Sequence, residues 1–209
     1  MPPVHLREER FVTSTALLIF GATIVASLIA LYASPGLMER CLFRPYWLVR
    51  KKQYETLVTS GFVHADVPHL AFNMITFWFF AFPLERRIGG AAFAVLYFAS
   101  LVLSDAGIYL KHRHDPAYAS LGASGAISAV LFANIVYFPT QSLFIFPIPI
   151  PIPAPVFAVG YVAYTWYSSR QARGRINHDA HLGGALFGLL FVLLTDPGAY
   201  GALSRIFAG

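Results

Sequence analysis

Four polar residues stand inside apolar runs at positions from which a reaction could be built: His69 and Asn73 in "VPHLAFN", Ser124 in "LGASGA" and His181 in "AHLGGALFG". A serine hydroxyl becomes an effective nucleophile when a neutral imidazole within hydrogen-bonding reach takes its proton. Attack on a carbonyl then creates an oxyanion, and each donor aimed at it is worth roughly 2.7–4 kcal/mol, judged from known oxyanion holes. The backbone N–H of Ser124, near a helix N-terminus, and the side chains of Asn73 and His69 are candidate donors. His69 and Asn73 are four residues apart, so on a helix they project from one face toward a common target. The residue types divide into a nucleophile (Ser124), a base (His181) and oxyanion stabilisers (Asn73, His69, Ser124).

The elements that must position them are membrane helices. Of 209 residues 57% are hydrophobic and only 12% charged, far from the balance of an ordinary soluble domain. Six apolar stretches mark approximate helices over residues 11–33, 67–84, 89–110, 121–138, 155–168 and 180–194, within one domain covering 1–209. In a bundle whose helices alternate direction, the second, fourth and sixth begin at the same face of the membrane, which brings His69, Asn73, Ser124 and His181 to similar depth. Uncompensated polar groups in lipid are costly, so the four are expected to converge. Gly122 and Gly125 beside Ser124 let another backbone come close, and Gly184 and Gly188 form a G-x-x-x-G pair that supplies the matching surface on the sixth helix.

Between the first and second stretches lie about thirty residues with Tyr46, Trp47 and five basic side chains, too long and too aromatic for a plain connection. This loop is expected to fold on the membrane surface. The link "ERRIGG" forces a tight hairpin. The link "FPTQSLFIFPIPIPIPAP" is expected to be extended and PPII-like at the interface, because its prolines remove backbone donors.

Each residue also has a plainer reading. A serine among glycines serves packing in many membrane helices, Asn73 can bond a neighbouring helix, a histidine at a span end can be interfacial, and a glycine pair can be only a seam. The nucleophile-elbow pattern G-x-S-x-G is excluded, because Ala126 stands where its second glycine belongs. Common depth, spacing and complementary roles together favour catalysis.

With these residues in view, the chain resembles the rhomboid family of intramembrane serine proteases. The family's H-x-x-x-x-H-x-x-x-N stands here as His64, His69 and Asn73, its G-x-S-G as Gly122, Ser124 and Gly125, and its H-x-x-G-x-x-x-G as His181, Gly184 and Gly188. An E-x-R after the second helix is matched by Glu85 and Arg87, which in the family help tie the loop end together. The resemblance implies an all-α membrane protein: a six-helix transmembrane bundle of rhomboid type with a long membrane-associated first loop. It also implies a Ser-His dyad that cleaves peptide bonds in or near transmembrane segments of other proteins. A catalytically silent, rhomboid-like binder of membrane clients is the alternative. Two departures from the family pattern stand out. A Trp-Arg pair in the first loop is replaced by Glu55 and Thr56, and the aromatic residue often found four after the serine, where it packs on the catalytic imidazole, is Ser128. His181 must then be oriented by another group.

No cofactor and no metal are expected; His112 and His114, spaced by one residue, do not make a zinc site. Neither Asp105 nor Asp179 is expected to complete a triad: Asp179 would point away from His181 on a helix, and Asp105 is expected in a structural hydrogen bond. Cys41, the only cysteine, has no partner for an internal disulfide and is expected to be buried in its loop. The net charge of +5 lies in short loops between apolar spans, as at "RKK" and "RQARGR", which points to phospholipid headgroups and away from nucleic acid. The expected partners are the lipid bilayer and transmembrane protein substrates, with the oligomeric state left open. By a literal positive-inside count, ten basic residues on the catalytic side against five on the other would turn the site to the cytoplasm. The family resemblance implies the reverse. Discounting the five of the first loop leaves a tie, and the expectation is a plasma-membrane protein with its termini in the cytoplasm and its active site facing outward.

Overall fold

A computed structural model of the chain describes residues 14–145, 148–171 and 177–208, and the side chains of all of these but 145, 148, 149, 171 and 205–208. The expected start of the first helix, 11–13, and most of the "RQARGR" loop lie outside the described residues. Six long helices occupy the six apolar stretches. They are α1 (Thr15–Leu28, continued by a wider turn, Ile29–Ala33), α5 (Val67–Ile88), α6 (Gly90–His112), α7 (Ser124–Tyr137), α8 (Ala154–Gln171) and α9 (His178–Thr195). The first loop carries three short helices, α2 (Pro35–Cys41), α3 (Pro45–Arg50) and α4 (Thr56–Thr59), and α10 (Tyr200–Ala208) follows α9. This is an all-α membrane bundle, in which four helices, α1 with its extension, α5, α6 and α9, are long and apolar enough to cross a membrane.

The sequence dictates these elements in recognisable ways. On α5, Leu70, Met74, Phe77, Ala81 and Leu84 form a buried stripe at helical spacing, while Phe72, Ile75 and Phe79 are equally apolar and exposed. A helix apolar on both faces suits a protein core on one side and lipid on the other. Its N-terminus is capped by Asp66, whose side chain accepts from the His69 N–H. Only Gly89, at φ +84°, separates α5 from α6, so "ERRIGG" makes the tight hairpin expected, with most of that link helical.

The central element is α7. Every residue from Gly125 to Val136 is buried, enclosed chiefly by α5, α6 and α9. With 14 residues it is about 21 Å long, shorter than the ~30 Å hydrocarbon core of a bilayer.

The proline-rich link differs from the expectation. It is a β-hairpin, in which β1 (Ser142–Ile145) pairs antiparallel with β2 (Ile148–Pro153), Leu143 opposite Ile152. Successive residues of a strand present their backbone groups to opposite edges. Prolines at every second position therefore remove donors from the outer edge of β2 and leave the pairing edge intact.

The first loop folds into short helices, more structured than a plain connection. Cys41 is buried, and burial raises its thiol pKa. Two basic side chains at the C-terminal end of α3 lie over aromatic rings, Arg50 3.9 Å from the Tyr46 centroid and Lys51, just past the helix, 4.2 Å from that of Trp47. Thr56, part of the Glu55-Thr56 departure, is buried and donates to the Gln53 carbonyl at 2.6 Å, which closes the turn into α4.

Candidate active site

Ser124 is the first residue of α7, and the chain leading to it is fastened to the first loop. Phe43 and Ser120 exchange both backbone hydrogen bonds at 3.0 Å, and the Gly122 N–H donates to the Ser60 carbonyl at 2.9 Å. Gly122 is at φ +113°, where a side chain is strained. A Cβ there would also lie 2.7 Å from Cε1 and 2.9 Å from Nε2 of His69. The glycine is thus required twice, for its backbone and for the imidazole seated on it.

His64 anchors the same turn. The Ala123 N–H donates to His64 Nε2 at 3.4 Å, His64 Nδ1 faces the Ser27 hydroxyl at 3.0 Å, and that hydroxyl donates to the Phe62 carbonyl at 3.1 Å. The direction of this chain fixes the ring: Nε2 accepts, so Nδ1 carries the proton and donates to Ser27. A neutral imidazole is required, and burial, reinforced by repulsion from His69, lowers the His64 pKa to about 3. The His64 and His69 rings meet edge to face with centroids 4.9 Å apart. Asn73 is buried one turn beyond His69 and donates through Nδ2 to the His69 carbonyl at 3.2 Å, which leaves its second N–H free of its own helix.

His181 lies in the first turn of α9, whose N-terminus is capped by Asn177 accepting from the Ala180 N–H at 3.1 Å. The α7–α9 seam is backbone on backbone. A Cβ on Gly184 would overlap the Gly125 carbonyl group, and a Cβ on Gly188 would lie 2.8 Å from the Ala129 Cα. Gly125 in turn sits over Ser104 of α6 and leaves 3.3 Å between a notional Cβ and the Ala180 carbonyl oxygen. The residues next to Ser124 thereby touch those flanking His181. A small cavity at this junction is lined by Ser124, Ser104, Asp105, Ser120 and Asn177, among others. Among the described residues no hydrogen bond joins Ser124 to His181; such bonds often form only in the substrate complex.

Sequence reasoning passed over Tyr161 on α8. Its ring is nearly parallel to the His181 imidazole, 20° between planes and 6.2 Å between centroids, and its hydroxyl bonds that of Ser128 at 2.8 Å. His178 was also passed over; its ring meets those of Tyr164 and His181, and its buried Nδ1 has no hydrogen-bond partner among the described residues. Nothing in the order of residues marks Tyr161, because its contacts with His181 and Ser128 join different helices, whereas His178 stands three residues before His181 on α9, a spacing the sequence does show.

Asp179 points away, as expected, into an ion pair with Lys111 at 2.8 Å. Asp105 lines the cavity beside Ser124, and the structural hydrogen bond expected of its side chain is not found among the described residues. Glu85 and Arg87 are at the opposite end of the bundle. Glu85 accepts from the Ser14 hydroxyl and, at 2.6 Å, from the Thr15 N–H; Arg87 pairs with Asp196 at 3.4 Å and lies over Tyr137. They tie helix ends together at a distance from the chemistry. No group of three or more His, Cys, Asp or Glu is arranged to hold a metal among the described residues, and His112 stacks on Tyr118 with centroids 3.7 Å apart.

A family model described as the Rhomboid domain matches residues 51–197. Rhomboid protein 1, mitochondrial, of Saccharomyces cerevisiae is 30% identical over 160 residues, 71% of this chain and 45% of the relative. RHOMBOID-like protein 12, mitochondrial, of Arabidopsis thaliana is 31% identical over 148 residues, 62% of this chain and 43% of the relative. Presenilin-associated rhomboid-like protein, mitochondrial, of Rattus norvegicus is 33% identical over 146 residues, 65% of this chain and 37% of the relative. The chain thus spans less than half the length of these relatives. They also correct the expected location: all three are mitochondrial by name, so the plasma-membrane assignment does not stand, nor does the outward-facing site framed on it.

Proposed function

The chain belongs to the rhomboid family, and on that premise we propose that it is a serine endopeptidase cleaving peptide bonds in or near transmembrane segments of other membrane proteins. The observation that supports the reading is the backbone contact of Gly184 on Gly125, which brings the first turn of α9, with His181, against the N-terminal turn of α7, with Ser124.

In the reaction Ser124 Oγ attacks the scissile carbonyl while His181 takes the hydroxyl proton. The oxyanion is held by the Ser124 N–H at the helix N-terminus, by the free amide N–H of Asn73 and by His69, which is fixed against Gly122. Collapse of the tetrahedral intermediate breaks the C–N bond, and His181 returns its proton to the leaving amine. Water then attacks the acyl ester, again with His181 as base, and frees the new carboxyl end and Ser124. His64, Gly122, Gly125, Gly184 and Gly188 act by holding these groups in place.

The helices' exposed apolar faces suit a lipid setting, in which clients that are themselves membrane proteins can meet the site. The mitochondrial relatives support a mitochondrial membrane as the place of action, which subcellular fractionation tests directly.

The test is incubation of purified protein with a panel of single-span helices, followed by fragment masses, alongside labelling by a fluorophosphonate. Cleavage and labelling are both expected, and both should vanish in Ser124→Ala and in His181→Ala, with the double variant no worse than either. Cleavage that survives Ser124→Ala overturns the mechanism. A folded wild-type protein that neither cleaves nor labels is instead a silent binder of membrane clients.

A further inference from the structure

A histidine that must take a proton from Ser124 needs a fixed ring plane, and the backbone seam that brings α9 to α7 does not supply one. Rotation about the side-chain bonds of His181 would carry its nitrogens away from the serine with no change in helix packing. Among the described residues, one aromatic ring lies parallel to the imidazole, that of Tyr161 on α8, with 20° between planes and centroids 6.2 Å apart. That geometry lies within the range of favourable offset stacking.

The Tyr161 ring is itself held from several sides. Phe132 of α7 and Phe157 of α8 pack on it with centroids 5.4 and 5.7 Å away. Its hydroxyl bonds Ser128 Oγ at 2.8 Å, and Ser128 is buried one turn beyond Ser124 on α7. The contacts run in a closed circuit. Ser124 and Ser128 share a helix, Ser128 holds the Tyr161 hydroxyl, and the Tyr161 ring faces His181. The helix that carries the nucleophile therefore also dictates, through a second hydroxyl, where the surface backing the base must lie.

We propose that Tyr161 is the positioning residue for His181, its ring plane locked to the serine-bearing helix by the hydroxyl of Ser128. The inference rests on the proteolytic reading above. Because Tyr161 belongs to a different helix from both members of the dyad, correct orientation of the imidazole requires α8 to be docked on α7.

The experiment compares Tyr161→Phe, Tyr161→Leu, Tyr161→Met and Ser128→Ala by cleavage kinetics, rate of fluorophosphonate labelling, pH–rate profile and thermal midpoint. Loss of the ring in the Leu and Met variants is expected to lower kcat and the labelling rate on the order of 10-fold to 100-fold, as sub-ångström to ångström misplacement does, with KM little changed. The apparent pKa of the acid limb of the rate profile should move with it, a readout that a purely structural role would not shift. Tyr161→Phe keeps the ring and should recover most of the rate. Ser128→Ala and Tyr161→Phe remove the same bond, so their small losses should not add in the double variant. Wild-type kcat and labelling in a folded Leu or Met variant overturns the inference, as does a Phe variant impaired as deeply as Leu. Additive losses in the Ser128→Ala/Tyr161→Phe pair overturn the hydroxyl lock even if neither ring-deleted variant folds. Wild-type protein that is folded yet unlabelled fails the proteolytic reading itself, an outcome separate from these.

Discussion

The backbone of Gly184 is seated on that of Gly125, so closely that a Cβ at position 184 would lie 2.7 Å from the Gly125 carbonyl carbon. Gly188 repeats the contact one turn on, where a Cβ would lie 2.8 Å from the Ala129 Cα. In both cases the obstacle is main chain, which cannot swing aside. Gly184→Val and Gly188→Val should therefore both destabilise the bundle, by about 1–3 kcal/mol or more each. The former should also depress kcat in whatever protein remains folded. Gly160→Ala on α8 is the control, because nothing lies within 4 Å of a Cβ there. Thermal midpoints and specific cleavage rates of the three variants check this, and a neutral Gly184→Val would show that the seam is looser than drawn.

Asn73→Ala should be milder than loss of Ser124. The Asn73 amide already spends one N–H on the His69 carbonyl, and two other donors remain for the oxyanion. A fall in kcat of about 10²-fold with KM nearly constant is expected. Asn73→Asp, which puts an acceptor where a donor is needed, should be worse than Asn73→Ala; the opposite order would remove Asn73 from the oxyanion site.

His64 gives the fold a pH dependence of definite sign. Its imidazole is neutral in the folded protein with a pKa of about 3, while the unfolded chain titrates near 6.5. Between those values the unfolded state binds the extra proton and the folded state does not. Stability is thus whole above about pH 6.5 and is lost progressively as pH falls toward 3. The thermal midpoint in detergent should drop across that window, and His64→Gln should flatten the drop while lowering the midpoint at pH 7. A profile identical to wild type in His64→Gln would assign the acid sensitivity to other groups.

Glu85→Ala should loosen the far end of the bundle. Its carboxylate accepts from both the Ser14 hydroxyl and the Thr15 N–H at the start of α1, so its loss leaves the Thr15 N–H without that acceptor and frees the hydroxyl of Ser14, which caps the Leu17 N–H. A cost of about 1–2 kcal/mol in stability is expected, comparable to loss of a helix cap. Because Glu85 sits at the end of α5 remote from Ser124, any loss of activity should follow the loss of folded protein, with kcat per labelled serine unchanged. A kcat effect at full folding would mean that the two ends of the bundle are coupled.

The sequence by itself determined the class of protein and the groups available for chemistry. Apolar runs long enough to cross a bilayer, broken by short polar links, leave the backbone little choice but helix, because lipid offers no partner for its N–H and C=O groups. The parity of those helices leads one to expect His69, Asn73, Ser124 and His181 at one level, and the glycines beside Ser124 and after His181 mark where two helices can touch. Contacts between side chains far apart in the chain were decided only in the folded molecule. That the Ser128 hydroxyl bonds the hydroxyl of Tyr161 depends on α8 lying beside α7 and α9, a relation no local pattern encodes. The alternating prolines suggested an extended, PPII-like link at the interface; the tertiary structure pairs it as a β-hairpin, because period-two prolines leave one edge competent to bond. His64 was marked in the sequence by motif alone, and only the fold makes it the acceptor that holds the Ala123 N–H just before Ser124. Local residue types set what each position is able to do, while the docking of helices sets which of those abilities meet.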